Sequence, residues 1–236
     1  MRRLSLSVLG VFLFVGASYP AQGQQPSAEK IMEQMASAYA TCHSYVDEGE
    51  VRTVYLEQNG HRTQVRPFST AFVRPSDFRF EYKSRRGEDE WDTYVIWRGA
   101  ENVKTWWSVR PGVESPRDLF SALGGAAGVS GLASVTVPAL LMPDQARGSM
   151  IKSLTALKLV GEEEVNGSKA YKVEGLNSRS DAVTIWVDEG SMLLVKIYEK
   201  EKSEKYEAET TTTYKPQVNV EVVQEKLAFN PPEKGK

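Results

Sequence analysis

Histidine and cysteine are almost missing from this chain. Its 236 residues include two histidines, His43 and His61, and one cysteine, Cys42. A lone cysteine closes no internal disulfide, so the fold must stand on its own core. Cys42 and His43 are neighbours in sequence, which turns their side chains apart, and they do not make a nucleophile–base pair. The spacings HExxH, CxxC, GxSxG and GxxxxGK are absent. Nothing brings His, Cys and carboxylates together at metal-ligand spacing. The expectation is a chain with no catalytic residues, no metal and no cofactor, hence not an enzyme.

Charge of one sign is also lacking. The 29 Lys and Arg nearly balance 31 Asp and Glu, for a formal net charge of -2, and no basic stripe points to nucleic acid. The acidic runs Glu162-Glu163-Glu164 and Glu199 to Glu209 lack the spaced carboxylates and Gly turn of a Ca²⁺ loop. The second is interleaved with Lys200, Lys202 and Lys205 and reads as a solvated strand end.

Long apolar runs are missing too. The run centred on Val8 to Val15 falls short of the ~20 residues that span a bilayer. It follows Arg2 and Arg3 and precedes Ala21-Gln22-Gly23, the order of a secretory signal peptide. The alternative is a membrane anchor, against which the run's length argues. Residues 1–23 are therefore expected to be a signal peptide cleaved near Gly23, and residues 24–236 the exported, periplasmic domain. No cysteine stands at the cleavage site to carry a lipid anchor, and no stable membrane insertion is expected after cleavage.

What remains is ordinary globular composition, 41% hydrophobic and 25% charged, enough for a sizeable core. Ser27 can cap a helix from Ala28 to about Thr41, with Ile31, Met35, Ala38 and Cys42 on one stripe. From Ser44 the period changes to two. Strands are predicted at Tyr45 to Glu57, His61 to Val73, Phe78 to Lys83, Trp91 to Arg98 and Val103 to Val109. Later ones follow at Leu154 to Glu163, Lys169 to Leu176, Val183 to Asp188, Met192 to Glu199, Tyr206 to Tyr214 and Gln217 to Val223. Asn59-Gly60 and Asn166-Gly167 are hairpin turn signals. About ten strands joined by short turns imply a curved antiparallel sheet or barrel.

Two stretches break the monotony. In Arg74-Pro75-Ser76-Asp77-Phe78-Arg79-Phe80-Glu81-Tyr82 the aromatics Phe78, Phe80 and Tyr82 share one strand face. They need cover, from either an ordinary core or a greasy ligand. Residues 116–142 carry few charges and no strand period. A short helix near Pro116 (Leu119, Phe120, Leu123), a flexible centre (Gly124-Gly125, Gly128, Gly131) and a second helix over Val137 to Met142 are predicted. That segment is either a plug for the sheet or a movable lid. Trp106 and Trp107 are consecutive and must face opposite sides of the sheet, so either something lies on each face to cover both, or one is exposed for binding.

In this order the chain resembles the LolA-like family of periplasmic lipoprotein carriers. The resemblance is carried by the signal peptide, the N-terminal helix, Arg74-Pro75-x-x-Phe78-Arg79-x-Glu81-Tyr82, Pro138-Ala139-Leu140-Leu141, Trp186-Val187-Asp188 with the strand Leu193 to Ile197, and Phe229-x-Pro231-Pro232. It implies a mainly β chain with a few helices (α+β): a single curved, incompletely closed antiparallel β-barrel covered by an N-terminal helix and a helical lid. It implies Arg74 as the lid latch and Phe78 in the cavity wall. With the periodicity, it makes Phe72, Phe78, Phe80, Tyr82, Trp97 and Trp107 the candidate lipid-binding cavity, and Leu119, Phe120, Leu123, Leu140 and Leu141 the candidate lid. The implied function is a soluble carrier that moves acylated lipoproteins or other lipids across the periplasm toward the outer membrane, between membrane-bound donor and acceptor proteins. The alternative is an envelope-stress sensor or protein-interaction module on the same fold, without transport. The chain departs from the carriers in its length, its glycine-rich centre between the lid helices, and its charged segment Glu199 to Glu209.

Overall fold

The computed structural model describes residues 25–57, 60–100, 102–146, 149–202 and 207–231. The expected signal peptide, Asn59 of the first turn signal, Tyr206 at a predicted strand start and Pro232 lie outside them.

Helix α1 (Ala28–Thr41) starts where the Ser27 hydroxyl accepts from Lys30 N at 3.2 Å, satisfying a donor that the first turn leaves free. It buries Ile31, Met35 and Tyr39 along one stripe. Six strands follow: β1 (Ser44–Glu57), β2 (Gly60–Val73), β3 (Asp77–Arg85), β4 (Trp91–Arg98), β5 (Val103–Trp107) and β6 (Arg110–Glu114). The helical segment holds α2 (Leu119–Ala127), α3 (Ala133–Thr136) and α4 (Pro138–Leu141), then a 3-10 turn at Ile151–Ser153. The chain continues through β7 (Thr155–Val165), β8 (Ser168–Leu176), β9 (Ala182–Asp188), β10 (Leu194–Lys202), β11 (Glu207–Tyr214), β12 (Gln217–Val218) and α5 (Gln224–Leu227).

All the strands form one antiparallel sheet in the order β6-β5-β4-β3-β2-β1-β11-β10-β9-β8-β7, with β12 also paired to β1. Strands β6 and β7 end the sheet without pairing each other, so it is curved but not closed. Strand β1 ties its halves together, pairing β2 over its whole length and β11 from Gly49 to Leu56.

Three predicted features change. A sixth strand, β6, follows a tight turn at Ser108 and Val109, beyond the predicted strand end, and contains Pro111 and Gly112, residues that weaken a strand pattern. An edge strand tolerates both, because no neighbour needs the missing N–H. Gly124 and Gly125 lie within α2 rather than in a hinge. The last predicted strand is reduced to Gln217–Val218, and the chain then turns into α5.

The core lies between the sheet's inner face and α1–α4. It unites Ile31, Met35 and Tyr39 of α1 with Phe72, Phe78 and Phe80 of the sheet and with Leu123 and Leu140 of the helical segment.

Candidate functional site

Strand parity and register decide what faces inward. Tyr45 is opposite Phe72, and Phe72 is opposite Phe78. Phe68 is opposite Tyr82, which is opposite Tyr94, which is opposite Trp107. Period-two alternation keeps all of these on one face. The result is a row of rings across the sheet. Centroids are 5.4 Å apart for Tyr214 and Phe68, 6.1 Å for Phe68 and Phe80, 6.4 Å for Phe80 and Tyr82, 5.6 Å for Tyr82 and Tyr94, and 6.0 Å for Tyr94 and Trp107. These spacings fall in the favourable range for aromatic pairs. The row crosses β1 at Gly49. A Cβ there would lie 2.2 Å from Phe68 Cζ and 2.5 Å from the Thr213 carbonyl oxygen, so only glycine lets the ring lie across the strand.

The helical segment covers this row. Leu119, Ala122, Leu123 and Ala126 form the buried stripe of α2, and Pro138 to Leu141 are all buried. Asp118 caps α2 by accepting from Ser121 N at 2.8 Å. The Ser134 hydroxyl donates to Leu123 O at 2.9 Å and joins α3 to α2. Gly131 adopts φ +63° between α2 and α3, and a Cβ there would lie 2.7 Å from Val51 Cγ1.

Arg74 sits in the turn between β2 and β3. Its Nε donates to Cys42 O at 2.7 Å, and its Nη2 donates to Tyr39 O at 3.0 Å and Leu141 O at 3.1 Å. The first two carbonyls close α1 and the third closes α4. Carbonyls at helix C-termini have no partner within the helix and carry partial negative charge, so a fixed cation with forked donors suits them. Of the partners, Leu141 lies in the segment 116–142, as the resemblance implied. Those on α1 were not foreseen.

A buried polar cluster was missed altogether. Asp47 shares inward parity with Tyr45 and is 3% exposed. Its carboxylate accepts from Tyr45 Oη at 2.7 Å and Thr70 N at 2.8 Å. Burial outweighs these bonds and pushes its pKa up to about 6. Burial, and then the nearby Asp47 carboxylate, pushes the Tyr45 and Tyr214 hydroxyls well above their usual value. Burial also raises the Cys42 thiol, against the lowering effect of Arg74. Tyr39 accepts from Leu194 N at 3.2 Å, linking α1 to β10. Strand parity was the available signal: Asp47 alternates with Tyr45, Gly49 and Val51.

Most of the expected wall and lid residues come together. Phe72, Phe78, Phe80 and Tyr82 share one core with Leu119, Leu123, Leu140 and Leu141. Trp107 lines a cleft of about 310 Å³ between the β4–β6 edge and α2.

Two expectations are corrected. Trp97 is opposite Arg79, on the outer face. Its Nε1 donates to Leu227 O at 2.8 Å, its ring lies 5.8 Å from Phe229, and Lys104 sits over both rings. The C-terminal segment thus crosses the outer face and gives Trp97 its cover. Trp106 lies on the same face, in a cleft with Phe229 and Pro231. Phe120 is 46% exposed and faces away from the core, because the Asp118 cap sets the α2 stripe on Leu119, Ala122, Leu123 and Ala126.

Among the described residues no group of three or more His, Cys, Asp and Glu is placed to hold a metal ion, and no helix is long and apolar enough to cross a membrane.

An open, curved antiparallel sheet with its aromatic inner face packed by helices defines the class: a helix-filled half-barrel. Residues 113–236 match the family described as "Predicted periplasmic protein (DUF2092)", and the chain belongs to that family. No curated protein matches the sequence. The chain is similar to several solved structures. LprF from Mycobacterium bovis is 12% identical, with 83% of this chain and 94% of that one covered and a TM-score of 0.49. The lipoprotein LppX from Mycobacterium tuberculosis is 13% identical, with 83% and 97% covered and a TM-score of 0.48. A LolA superfamily protein from Nitrosomonas europaea is 12% identical, with 87% and 99% covered and a TM-score of 0.35.

Proposed function

We propose that this protein is an exported, periplasmic carrier that binds lipid acyl chains on the inner face of its half-barrel. Its signal peptide is removed near Gly23, and its helical segment acts as the lid. The observation that carries this reading is the mutual cover of the aromatic row and the helices, tied to α1 by the single side chain of Arg74.

The physical case is a comparison of two exposed states. An acyl chain loses about 0.8 kcal/mol per CH₂ when it leaves water, so sixteen carbons gain on the order of 12 kcal/mol from a dry apolar site. A concave aromatic surface left open would itself be an aggregation-prone patch. A segment that fills the site when no ligand is present, and yields when one arrives, avoids both exposures. Residues 119–141 suit that role. They are short helices with small residues at the contact, Ala122, Ala126, Ala133 and Ala139, and they are joined by turns rather than strand pairing. Short helices gain little stability of their own and depend on packing. Phe72, Phe78, Phe80, Tyr82 and Trp107 are the wall in this reading, and Leu119, Leu123, Leu140 and Leu141 the lid. Arg74 is the latch. No reaction is assigned to the chain, and membrane-bound donors and acceptors follow from the carrier reading.

Lipid extracted from protein purified from its native compartment, analysed by mass spectrometry, tests the reading. Acyl lipid near one equivalent per chain, together with uptake of a fluorescent fatty acid that Phe78→Glu abolishes in a folded protein, supports it. Protein that carries no lipid and takes up no fatty acid sinks it.

A further inference from the structure

We propose that Arg66 binds the anionic head group, a carboxylate or phosphate, of an acyl lipid whose chain lies along the inner face. The inference rests on the acyl-binding reading and adds the charge and direction of the ligand.

Strand parity places Arg66 on the inner face, in alternation with Phe68, Thr70 and Phe72 of β2. It is 8% exposed. An arginine buried to that degree is ordinarily paired, because a desolvated cation without a counter-charge is costly. Arg66 has no ion pair among the described residues. Its Nη2 donates to the neutral amide oxygen of Gln64, and its Nε and Nη1 have no partner there. Those two atoms are not sealed from solvent, in contrast to Arg79 Nε. The missing counter-charge is one that a ligand can bring.

Register gives the path of the chain. Arg66 is opposite Val51, and the same row crosses the sheet through Thr212, Ile197, Ile185 and Val173. All five are buried, and none is charged. At ~4.8 Å per strand the row spans ~24 Å. A cation at one end of an aliphatic row selects a ligand with one anionic group and a hydrocarbon tail, and fixes which way it lies. The neighbouring row holds Gln64, Thr53, Thr210 and then Glu199 on β10. Three strand spacings put that carboxylate ~14 Å away, beyond an ion pair with Arg66.

The helical segment covers the head of the row. A Cβ on Gly131 would lie 2.7 Å from Val51 Cγ1 and 3.7 Å from Arg66 Nη1, so the turn between α2 and α3 rests on both. Lifting that turn uncovers the cation and the first aliphatic contact together. The forked donors of a guanidinium match two oxygens of one carboxylate or phosphate.

Displacement of diphenylhexatriene, a hydrocarbon probe, by dodecanoate, dodecyl phosphate and methyl dodecanoate tests the proposal on the lipid-free protein and on Arg66→Met. The variant keeps an apolar stem and removes the charge. A charge-assisted hydrogen bond corresponds to a preference of roughly tenfold for the two anions over the ester in the unaltered protein. Arg66→Met should bind the ester as before and lose that preference. Equal displacement by anions and ester in the unaltered protein, or a preference for anions that survives in the variant, overturns the head-group site and leaves acyl binding standing. Equal loss of ester and anions in Arg66→Met makes Arg66 a packing residue and overturns the site too. Thermal stabilisation by inorganic phosphate as large as that by dodecyl phosphate, and absent in Arg66→Met, overturns the lipid assignment in favour of a free anion. If the probe does not bind, or none of the three displaces it, the acyl-binding reading fails and the head-group site with it.

Discussion

Arg74 Nη2 donates to the carbonyl oxygen of Leu141 at 3.1 Å, from a turn that lies 67 residues earlier in the chain. The same guanidinium closes the end of α1 through Tyr39 O and Cys42 O. Arg74 is therefore where the sheet, the N-terminal helix and the helical segment meet. Arg74→Ala removes three charge-assisted donors and should cost about 3 kcal/mol of stability, since bonds to charged groups contribute ~1.5–3 each and are not additive. Hydrogen exchange should quicken first in α4 and the last turn of α1. Urea unfolding and peptide-level exchange measure both. A variant with unchanged exchange in residues 137–142 would remove Arg74 from any latching role.

Asp47 gives a pH dependence with a definite sign. Its carboxyl is raised from 3.8 to about 6 in the folded state, mainly by burial, so the folded protein holds a proton there that the unfolded chain releases. The associated stability is fully present below pH 3.8 and is lost as pH rises through about 6. At ~1.4 kcal/mol per unit the change is about 3 kcal/mol. Asp47→Asn keeps an acceptor for Thr70 N, turns its amide N–H to Tyr45 Oη, which then accepts, and does not titrate. Urea midpoints of the two proteins should converge near pH 4 and separate by pH 7, with Asp47→Asn the more stable. Parallel pH profiles would show that Asp47 does not titrate in this range.

Two glycines of the helical segment should respond oppositely. Gly131→Ala meets Val51 Cγ1 at 2.7 Å from a backbone at φ +63°, and the left-handed conformation alone costs ~1–2 kcal/mol for a residue with a Cβ. Gly124 lies inside α2 with open space around it, so Gly124→Ala should stabilise by about 0.5–1 kcal/mol through helix propensity. Thermal unfolding of the pair checks the contrast. Equal shifts would mean that the 128–132 turn is not fixed against β1.

Trp97→Ala separates the two faces of the sheet. Its indole holds Leu227 O and Phe229 on the outer side. Limited proteolysis should cut the variant earlier near residues 224–230, while its affinity for a fluorescent fatty acid stays within twofold. Loss of fatty acid binding with an unchanged C-terminal cleavage pattern would return Trp97 to the inner wall.

Much of the scaffold was legible because it is local. Ser27 fixed the start of α1, and alternation within each strand placed Phe78, Phe80 and Tyr82 together. What was not legible depends on partners distant in sequence. Strand β4 carries large apolar side chains at both parities, Val95 and Trp97 against Tyr94 and Ile96, so its inward face is set only by register with β3. The cover over Trp97 comes from residues 130 positions later. Phe120 was the largest apolar residue near the start of α2, yet Ala122 and Ala126 make the buried stripe, and alanine gives a weak pattern signal. Arg74 pairs with backbone carbonyls of α1, which no side-chain pattern announces. Strand β6 was hidden by Pro111 and Gly112, residues that an edge position accepts.

The central claim is that an acyl chain replaces the helices on the inner face. Hydrogen exchange of residues 119–141, followed by mass spectrometry with and without saturating methyl dodecanoate, tests it most directly. Exchange in α2 and α4 should become faster on binding, with the amides of β2 and β3 still protected. A ligand that binds while exchange in residues 119–141 stays the same or slows would contradict it, because the chain would then lie somewhere the lid does not cover.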